Sequence, residues 1–172
     1  MKHVALVGFM AAGKSTVGRL LAQRIGWPFV DTDALIEKLH GPIAAIFADE
    51  GESAFREYEL EAVAEAARRE EPSVIAVGGG AVTHPSTRAL LMERTFRVFL
   101  AAREREIARR LRGGPPRPIL GFEPSVEIVA ARYRERLPLY RESELVVDCT
   151  QMRAPAVARR VEELLRRNGF LK

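Results

Sequence analysis

The chain has 172 residues, 47% of them hydrophobic and 29% charged, which supports one globular domain and excludes disordered and collagen-like chains. Its 27 basic and 23 acidic residues give a net charge of +4, and 23 of the basic residues are arginines. Residues 1–86 carry 8 basic and 12 acidic side chains, whereas residues 87–172 carry 19 and 11. Because guanidinium groups bind carboxylates and phosphates in a bidentate manner, we expect anion binding to draw mainly on the second half.

Apolar runs and cysteine content exclude further classes. The longest apolar run, Val4 to Ala12, has nine residues, far fewer than the ~20 that a membrane-spanning helix needs. The single cysteine, Cys149, rules out an internal disulfide and a cysteine-based metal cluster, and we expect it to be a small buried residue near a strand end. We therefore expect a protein of the cytoplasm that binds no membrane. A monomer is expected as well.

Short apolar runs alternate with longer segments of helical periodicity along the chain. This pattern indicates repeated βα units and predicts an α/β fold of three layers, in which helices cover both faces of a five-stranded parallel sheet. No linker or repeat divides the chain, so residues 1–172 are predicted to form one domain. The predicted strands are Val4 to Phe9, Phe29 to Asp31, Val74 to Val77, Phe96 to Leu100 and Leu145 to Val147, and the clearest predicted helices are Lys14 to Ile25, Ala34 to Leu39, Ser53 to Arg69 and Pro155 to Arg167.

One segment, Arg112 to Pro124, cannot be a regular element. It contains four prolines and three glycines in 13 residues, which predicts an exposed loop between two basic helices. Loops of this length are either disordered linkers or functional lids. Since Arg117 lies inside the segment and helices resume on both sides, the lid is the favoured interpretation.

The most specific motif is Gly8 to Ser15, which fits the pattern G-x-x-x-x-G-K-[ST] between a predicted strand and a predicted helix. In such a loop the backbone N–H groups and the helix dipole hold phosphate oxygens. Lys14 can reach the β- and γ-phosphates, and Ser15 can bind Mg²⁺. The residues predicted to contact ATP here are Ala11, Ala12, Gly13, Lys14, Ser15 and Thr16.

The remaining sequence narrows the class of nucleotide-binding protein. A regulatory GTPase should carry N-K-x-D and D-x-x-G motifs, and neither is present. The chain is too short for the added domains of a motor ATPase. Its basic second half interleaves glutamates with arginines and offers no aromatic stacking platform, which argues against nucleic-acid binding. A small phosphotransferase remains.

Two carboxylates, Asp31 and Asp33, follow the second predicted strand. Parallel sheets bind their ligands at the carboxyl ends of strands. One carboxylate could hold the water shell of the metal while the other meets an acceptor hydroxyl. Alternatively, Asp33 could serve only as the N-cap of the following helix.

The three consecutive glycines Gly78–Gly80 follow the third predicted strand. They indicate either close approach of the backbone to a ligand or a tight turn. Two arginines are candidates for binding an anionic acceptor, but each has a structural alternative. Arg56 could pair with Glu52 or Glu59 on its own helix, and Arg136 could be a cation at a helix end.

Taken in order along nearly the whole chain, these motifs resemble those of the shikimate kinase family. Each motif is weak by itself, whereas five in the order of the family are highly specific. After the phosphate loop come Asp31-Thr-Asp33-Ala-Leu-Ile-Glu37, Gly51-Glu52-Ser-Ala-Phe55-Arg56-Glu-Tyr-Glu59, Gly78-Gly79-Gly80, Arg117-Pro118-Ile119-Leu120 and Arg136-Leu-Pro138-Leu139-Tyr140.

The resemblance implies an enzyme that transfers the γ-phosphoryl group of ATP to the 3-hydroxyl of shikimate, with Mg²⁺ as cofactor. It implies that the acceptor-binding region covers about residues 32 to 60, and that Gly78–Gly80 and Arg136 complete the shikimate site. It also implies that Asp33 orients or deprotonates the hydroxyl. The implied shikimate-binding residues are Asp33, Arg56, Gly78, Gly79, Gly80 and Arg136, with Phe47 and Phe55 either as apolar walls or as core residues.

The resemblance also implies the nucleotide side of the site. Lys14 and Arg117 would act on the transferred phosphoryl group, Ser15 would bind the metal and Asp31 would hold it through water. Arg110, Arg153 and Pro155 resemble the adenine-side residues of the family, which is a looser match.

The chain departs from the family pattern at two places. Ala11 stands where the phosphate loop of the family often has glycine, and Pro115-Pro116 stiffens the lid. Two alternatives remain open at this point. One is another small-molecule kinase, acting on gluconate or on a nucleoside monophosphate, and the other is a nucleotide-binding regulator without catalysis.

Overall fold

Five parallel strands form the centre of the computed structural model, which describes residues 3–111 and 125–171. The strands are β1 (His3–Val7), β2 (Phe29–Asp31), β3 (Val74–Ala76), β4 (Thr95–Ala101) and β5 (Leu145–Asp148). They lie in the order β2-β3-β1-β4-β5, and every neighbouring pair is parallel. The predicted sheet is confirmed, and its order places β1 in the middle, between β3 and β4.

Helices cover both faces of this sheet. In the described ranges they are α1 (Lys14–Ile25), α2 (Thr32–His40), α3 (Ile43–Asp49), α4 (Gly51–Arg68), α5 (Pro85–Arg94), α6 (Glu104–Leu111), α7 (Val126–Arg141) and α8 (Ala154–Arg167). The two helices predicted to flank the segment Arg112 to Pro124 are α6 and α7. That segment, the predicted lid, lies outside the described residues.

The alternation of side chains along β1 explains the three layers. Ala5 and Val7 pack into one buried cluster with α4, α5, α6 and α7, whereas Val4 and Leu6 pack into another with α1 and α8. Successive side chains of a strand point to opposite faces, so a strand that is apolar at every position is buried on both faces. All five residues of β1 are buried.

A third, smaller cluster joins α2, α3 and α4 beside the sheet. It consists of Ile36, Ile46, Phe55 and Ala62, one or two from each helix. These helices span most of the region between residues 32 and 60 that was predicted to bind the acceptor. None of the helices in the two described ranges is long and apolar enough to cross a membrane.

Local backbone chemistry corrects three details of the prediction. β1 ends at Val7 rather than Phe9, because Gly8 adopts φ 145°, outside the β region. The N-cap of α2 is Asp31, whose Oδ1 accepts hydrogen bonds from the N–H groups of Asp33 and Ala34, so the alternative role of Asp33 as N-cap is wrong. Two helices, α3 and α5, were not predicted.

Candidate active site

Three segments at the carboxyl ends of neighbouring strands form the candidate site. The phosphate loop follows β1, Asp31 ends β2 with Asp33 in the first turn of α2 directly after it, and the glycines Gly78–Gly80 follow β3. Because these strands are parallel and adjacent in the order β2-β3-β1, the three segments lie side by side at one end of the sheet. The sheet thus brings together residues that lie up to about 70 positions apart in the sequence.

The phosphate loop forms a cradle for an anion. Its residues, including Lys14 and Ser15, line a cavity of about 280 Å³ together with Thr16 and Asp31. α1 begins at Lys14, so the positive end of its dipole faces this cavity. Lys14 is buried, and its Nζ donates to the carbonyl oxygens of Gly8 at 2.9 Å and Phe9 at 3.0 Å. These contacts hold the ammonium group at the loop, where it can reach a terminal phosphate.

Ala11 occupies an unusual backbone conformation within this loop. Its φ of 59° lies in the left-handed region, which costs an L-residue roughly 1 kcal/mol. The left-handed turn explains why glycine suits this position, and the loop here accepts a Cβ instead. The carbonyl oxygens of Ala11 and Ala12 receive weak hydrogen bonds from Nη1 of Arg110, at 3.3 and 3.5 Å.

The residues at the base of this cavity suit Mg²⁺ bound together with phosphates. Ser15 and Asp31 both line the cavity and offer a hydroxyl and a carboxylate, the hard oxygen donors that Mg²⁺ prefers. Within residues 3–111 and 125–171, no group of three His, Cys, Asp or Glu side chains could hold a metal alone. Mg²⁺ characteristically retains waters and takes its remaining ligands from substrate phosphates, so this sparse donor set fits.

A second, more apolar cavity of about 90 Å³ lies next to the first. It is here called the acceptor cavity, because its lining includes residues that were predicted to bind the acceptor. Phe47 and Phe55 line it with their ring centroids 4.7 Å apart, and Phe55 also belongs to the α2–α4 cluster. Met10, Asp33 and Gly79 line both cavities. The two cavities therefore meet at these three residues, and a carboxylate stands at the junction.

Arg56 places a cation at the acceptor cavity. Its guanidinium donates to Glu59 Oε2 at 2.7 Å and to Glu52 Oε1 at 2.8 Å, so both predicted ion pairs within the helix exist. The same guanidinium packs against Gly80, where an added Cβ would collide with it. The ion pairs hold Arg56 in place at the cavity wall, which means that the structural and functional interpretations are compatible.

Glu59 is a buried carboxylate of the candidate site that was not predicted from the sequence. It is fully buried and lines the acceptor cavity. Burial raises the pKa of Glu59, and the opposite charge of Arg56 counteracts this shift. The helical spacing contained the signal, because Phe55, Glu59, Ala62 and Ala66 share the buried face of α4.

Gly78 lies directly against two carboxylates of the site. A Cβ at this position would collide with Glu59 Oε1 and lie 2.8 Å from Asp33 Oδ1. Gly79 is similarly close to the phosphate loop, since its Cβ would lie 2.9 Å from the N atom of Met10. The first two glycines therefore permit close packing with α2, α4 and the phosphate loop.

Arg136 and Tyr140 lie one turn apart on α7 and converge on the same carbonyl. The O atom of Gly79 accepts a hydrogen bond from Tyr140 Oη at 2.5 Å and one from Arg136 Nη1 at 3.4 Å. Burial raises the pKa of Tyr140 well above its usual range, so its hydroxyl remains a donor. Arg136 is buried inside α7, five residues before the helix ends, so the alternative of a cation at the helix terminus is wrong.

A third cavity, of about 230 Å³, lies on the other side of the phosphate loop. It is lined by Ala12, Thr16 and Arg110 and by residues of the segment that follows β5, including Met152 and Ala154. This is the side on which the adenine was predicted to bind. Arg153 and Pro155 flank Ala154 with exposed side chains, so their contact with a nucleotide stays a prediction, as does that of Arg117, which lies outside the described residues.

Cys149 also lines this third cavity and is expected to be nearly inert as a thiol. It is 2% exposed, and burial raises its pKa to about 12. Since the thiolate is the reactive form, the native protein at pH 8 should react with Ellman's reagent at least about 10²-fold more slowly than a free cysteine. In guanidinium chloride one equivalent should react at once. Rapid stoichiometric labelling of the folded protein would contradict this burial.

The sequence and the fold of this chain are both similar to those of known shikimate kinases. A family model described as shikimate kinase matches residues 10–166. A shikimate kinase of Moorella thermoacetica is 43% identical over 166 residues, covering 95% of this chain and 94% of the relative. One of Geobacter metallireducens is 46% identical over 151 residues, covering 87% and 84%. The solved shikimate kinase of Acinetobacter baumannii in complex with shikimate superimposes with a TM-score of 0.92 at 35% identity, covering 98% and 94%.

Proposed function

This chain belongs to the shikimate kinase family, and we propose that it transfers the γ-phosphoryl group of ATP to the 3-hydroxyl of shikimate where its two cavities meet. The observation that carries the proposal is that Asp33, Met10 and Gly79 line both the phosphate cradle and the acceptor cavity. An acceptor hydroxyl beside Asp33 is thereby brought next to a terminal phosphate in the cradle. As a member of this family the chain is an ATP-dependent kinase.

On the donor side, Lys14 and the N–H groups of the phosphate loop hold the phosphates. The transition state of phosphoryl transfer is loose and spreads charge over the equatorial oxygens, so catalysis consists mainly of positioning and charge neutralisation. Ser15, and Asp31 through water, would hold Mg²⁺, which would supply positive charge that neutralises the phosphates. Arg110 lines the third cavity, in which we propose that the adenine binds.

On the acceptor side, two arginines suit the single carboxylate of shikimate. Arg56 lines the cavity, and Arg136 donates a hydrogen bond to the O atom of Gly79, a residue of its lining. Charge-assisted hydrogen bonds from guanidinium groups to a carboxylate are strong. Asp33 and the N–H of Gly79 would contact ring hydroxyls. In the reaction the acceptor oxygen forms the new bond to phosphorus, its proton passes to Asp33 Oδ, and the bond to the β-phosphate oxygen breaks to release ADP.

Closure over the reacting groups is the role proposed for residues 112–124. Arg117 would neutralise the transferring phosphoryl group, and the closed segment would exclude water that could hydrolyse ATP. We also propose that the protein acts as a cytoplasmic monomer that needs neither nucleic acid nor membrane.

A coupled assay of ADP release with Mg-ATP tests the function directly. Shikimate should accelerate ADP release strongly, whereas gluconate and AMP should leave the basal rate unchanged. Acceleration by gluconate or AMP instead would indicate another small-molecule kinase. ATP binding without stimulation by any acceptor, together with salt-sensitive binding of nucleic acid, would indicate a non-catalytic regulator and overturn the proposal.

A further inference from the structure

Thr32 lies between Asp31 and Asp33 in the sequence, and no role in the site follows from the motif for its hydroxyl. It is the first residue of α2 and is fully buried. Its Oγ1 accepts a hydrogen bond of 3.2 Å from the backbone N–H of Gly78, 46 residues away in the sequence. This bond connects the first turn of α2 with the loop after β3.

The anchored residue, Gly78, is the one that packs against both carboxylates of the acceptor cavity, Asp33 and the buried Glu59. An added Cβ there would collide with Glu59 Oε1 and lie 2.8 Å from Asp33 Oδ1, so the backbone has little space in which to move. The next residue, Gly79, lines both cavities and accepts the hydrogen bonds from Tyr140 and Arg136. The position of Gly78 thus sets the distance between Asp33 and the backbone that faces it across the cavity.

We propose that Thr32 is a positioning residue, whose hydroxyl fixes the Gly78–Gly80 loop against Asp33 and Glu59 and so sets the geometry of the acceptor cavity. This inference rests on the proposed function, because it concerns the place where the acceptor hydroxyl meets Asp33. Valine has nearly the shape of threonine but cannot accept a hydrogen bond. In a Thr32→Val variant the buried N–H of Gly78 would lose its partner, and the loop would shift or loosen.

Thr32→Val is expected to lower kcat/KM for shikimate by about 10–100-fold, because displacements of about 1 Å at a reacting centre have effects of that size. The KM for ATP should change by less than about twofold, since Lys14 and Ser15 are held by the phosphate loop and α1. Thr32→Ser keeps the oxygen and should recover most of the lost kcat/KM.

The matched control is Thr95→Val. Thr95 is likewise fully buried, and its Oγ1 donates to the carbonyl of Leu91 at 2.7 Å. It begins β4 and pairs with His3. It therefore lies at the amino-terminal ends of the strands, at the opposite end of the sheet from the site. Thr95→Val should lower the melting temperature to a similar extent as Thr32→Val while leaving kcat/KM for shikimate and the KM for ATP within about twofold of the parent protein.

The outcomes separate this inference from the proposed function. If the parent protein releases no ADP in response to shikimate, the proposed function fails. If the parent is active and Thr32→Val behaves like Thr95→Val, the bond is merely structural and the positioning role is overturned. An equal loss of ATP and shikimate affinity in Thr32→Val, or a failure of Thr32→Ser to restore turnover, would overturn it as well.

Discussion

Replacing Asp33 with asparagine is expected to lower kcat by about 10²–10⁴-fold, the usual contribution of a positioned general base, while the affinity for ATP changes little. Asparagine keeps the shape of the side chain at the junction of the two cavities but cannot take a proton from the acceptor hydroxyl. Although Asp33 also lines the phosphate cavity, ATP is held by the phosphate loop and by Lys14, whose hydrogen bonds to Gly8 and Phe9 persist in this variant. Steady-state kinetics with shikimate and calorimetric titration with an ATP analogue measure the two quantities.

The control for this variant is Asp49→Asn. Asp49 is an exposed carboxylate at the end of α3, in the same region of the chain, and its replacement should leave turnover within about twofold. Unchanged turnover in Asp33→Asn would show that the assigned role is wrong. A parallel loss of ATP binding would place Asp33 in the donor site rather than at the acceptor.

Arg136→Ala should raise the KM for shikimate by about 10–100-fold with a smaller effect on kcat. A hydrogen bond to a charged group contributes about 1.5–3 kcal/mol, and Arg56 would remain to hold the carboxylate of the acceptor. The variant also removes one of the two hydrogen bonds to the O atom of Gly79, but the shorter one, from Tyr140, persists. Initial rates over a range of shikimate concentrations at saturating ATP test this expectation.

Arg132→Ala provides the matched control on the same helix. Arg132 is half-exposed and pairs with Glu135 on the surface, so its loss removes the same charge from α7 without touching the cavities. It should leave the KM for shikimate unchanged. An equal rise in the KM for ATP in Arg136→Ala would count against a clamp on the acceptor carboxylate.

Most of the donor side could be predicted from the sequence because its parts are local. The phosphate loop joins β1 to α1 within a few residues, and the spacing of Gly8, Gly13 and Lys14 reflects the turn itself. The strands were also predictable, since a strand buried on both faces appears as a continuous apolar run. Only their ends differed, as at Val7, where the conformation of Gly8 terminates the strand.

The acceptor side depended more on tertiary contacts. The short helix α3 and the helix α5, which starts at Pro85, have too few periodic residues to distinguish them from loops. For Glu59, the choice between a surface carboxylate and a buried one depends on what α4 packs against. The sequence also left two roles open for Arg56, and the structure shows that its ion pairs with Glu52 and Glu59 hold it at the cavity wall.

The sequence by itself determined the α/β fold, the phosphate loop and the set of charged residues available for an anionic acceptor, because periodicity and local motifs encode these features directly. Only the tertiary structure decided which of them meet. The order β2-β3-β1 brings the segments that bear Asp33, Gly79 and Lys14 to one end of the sheet, and the hydrogen bond between Thr32 and Gly78 connects two of these segments across 46 residues. Strand order and long-range contacts arise from packing between distant segments, which no local pattern specifies.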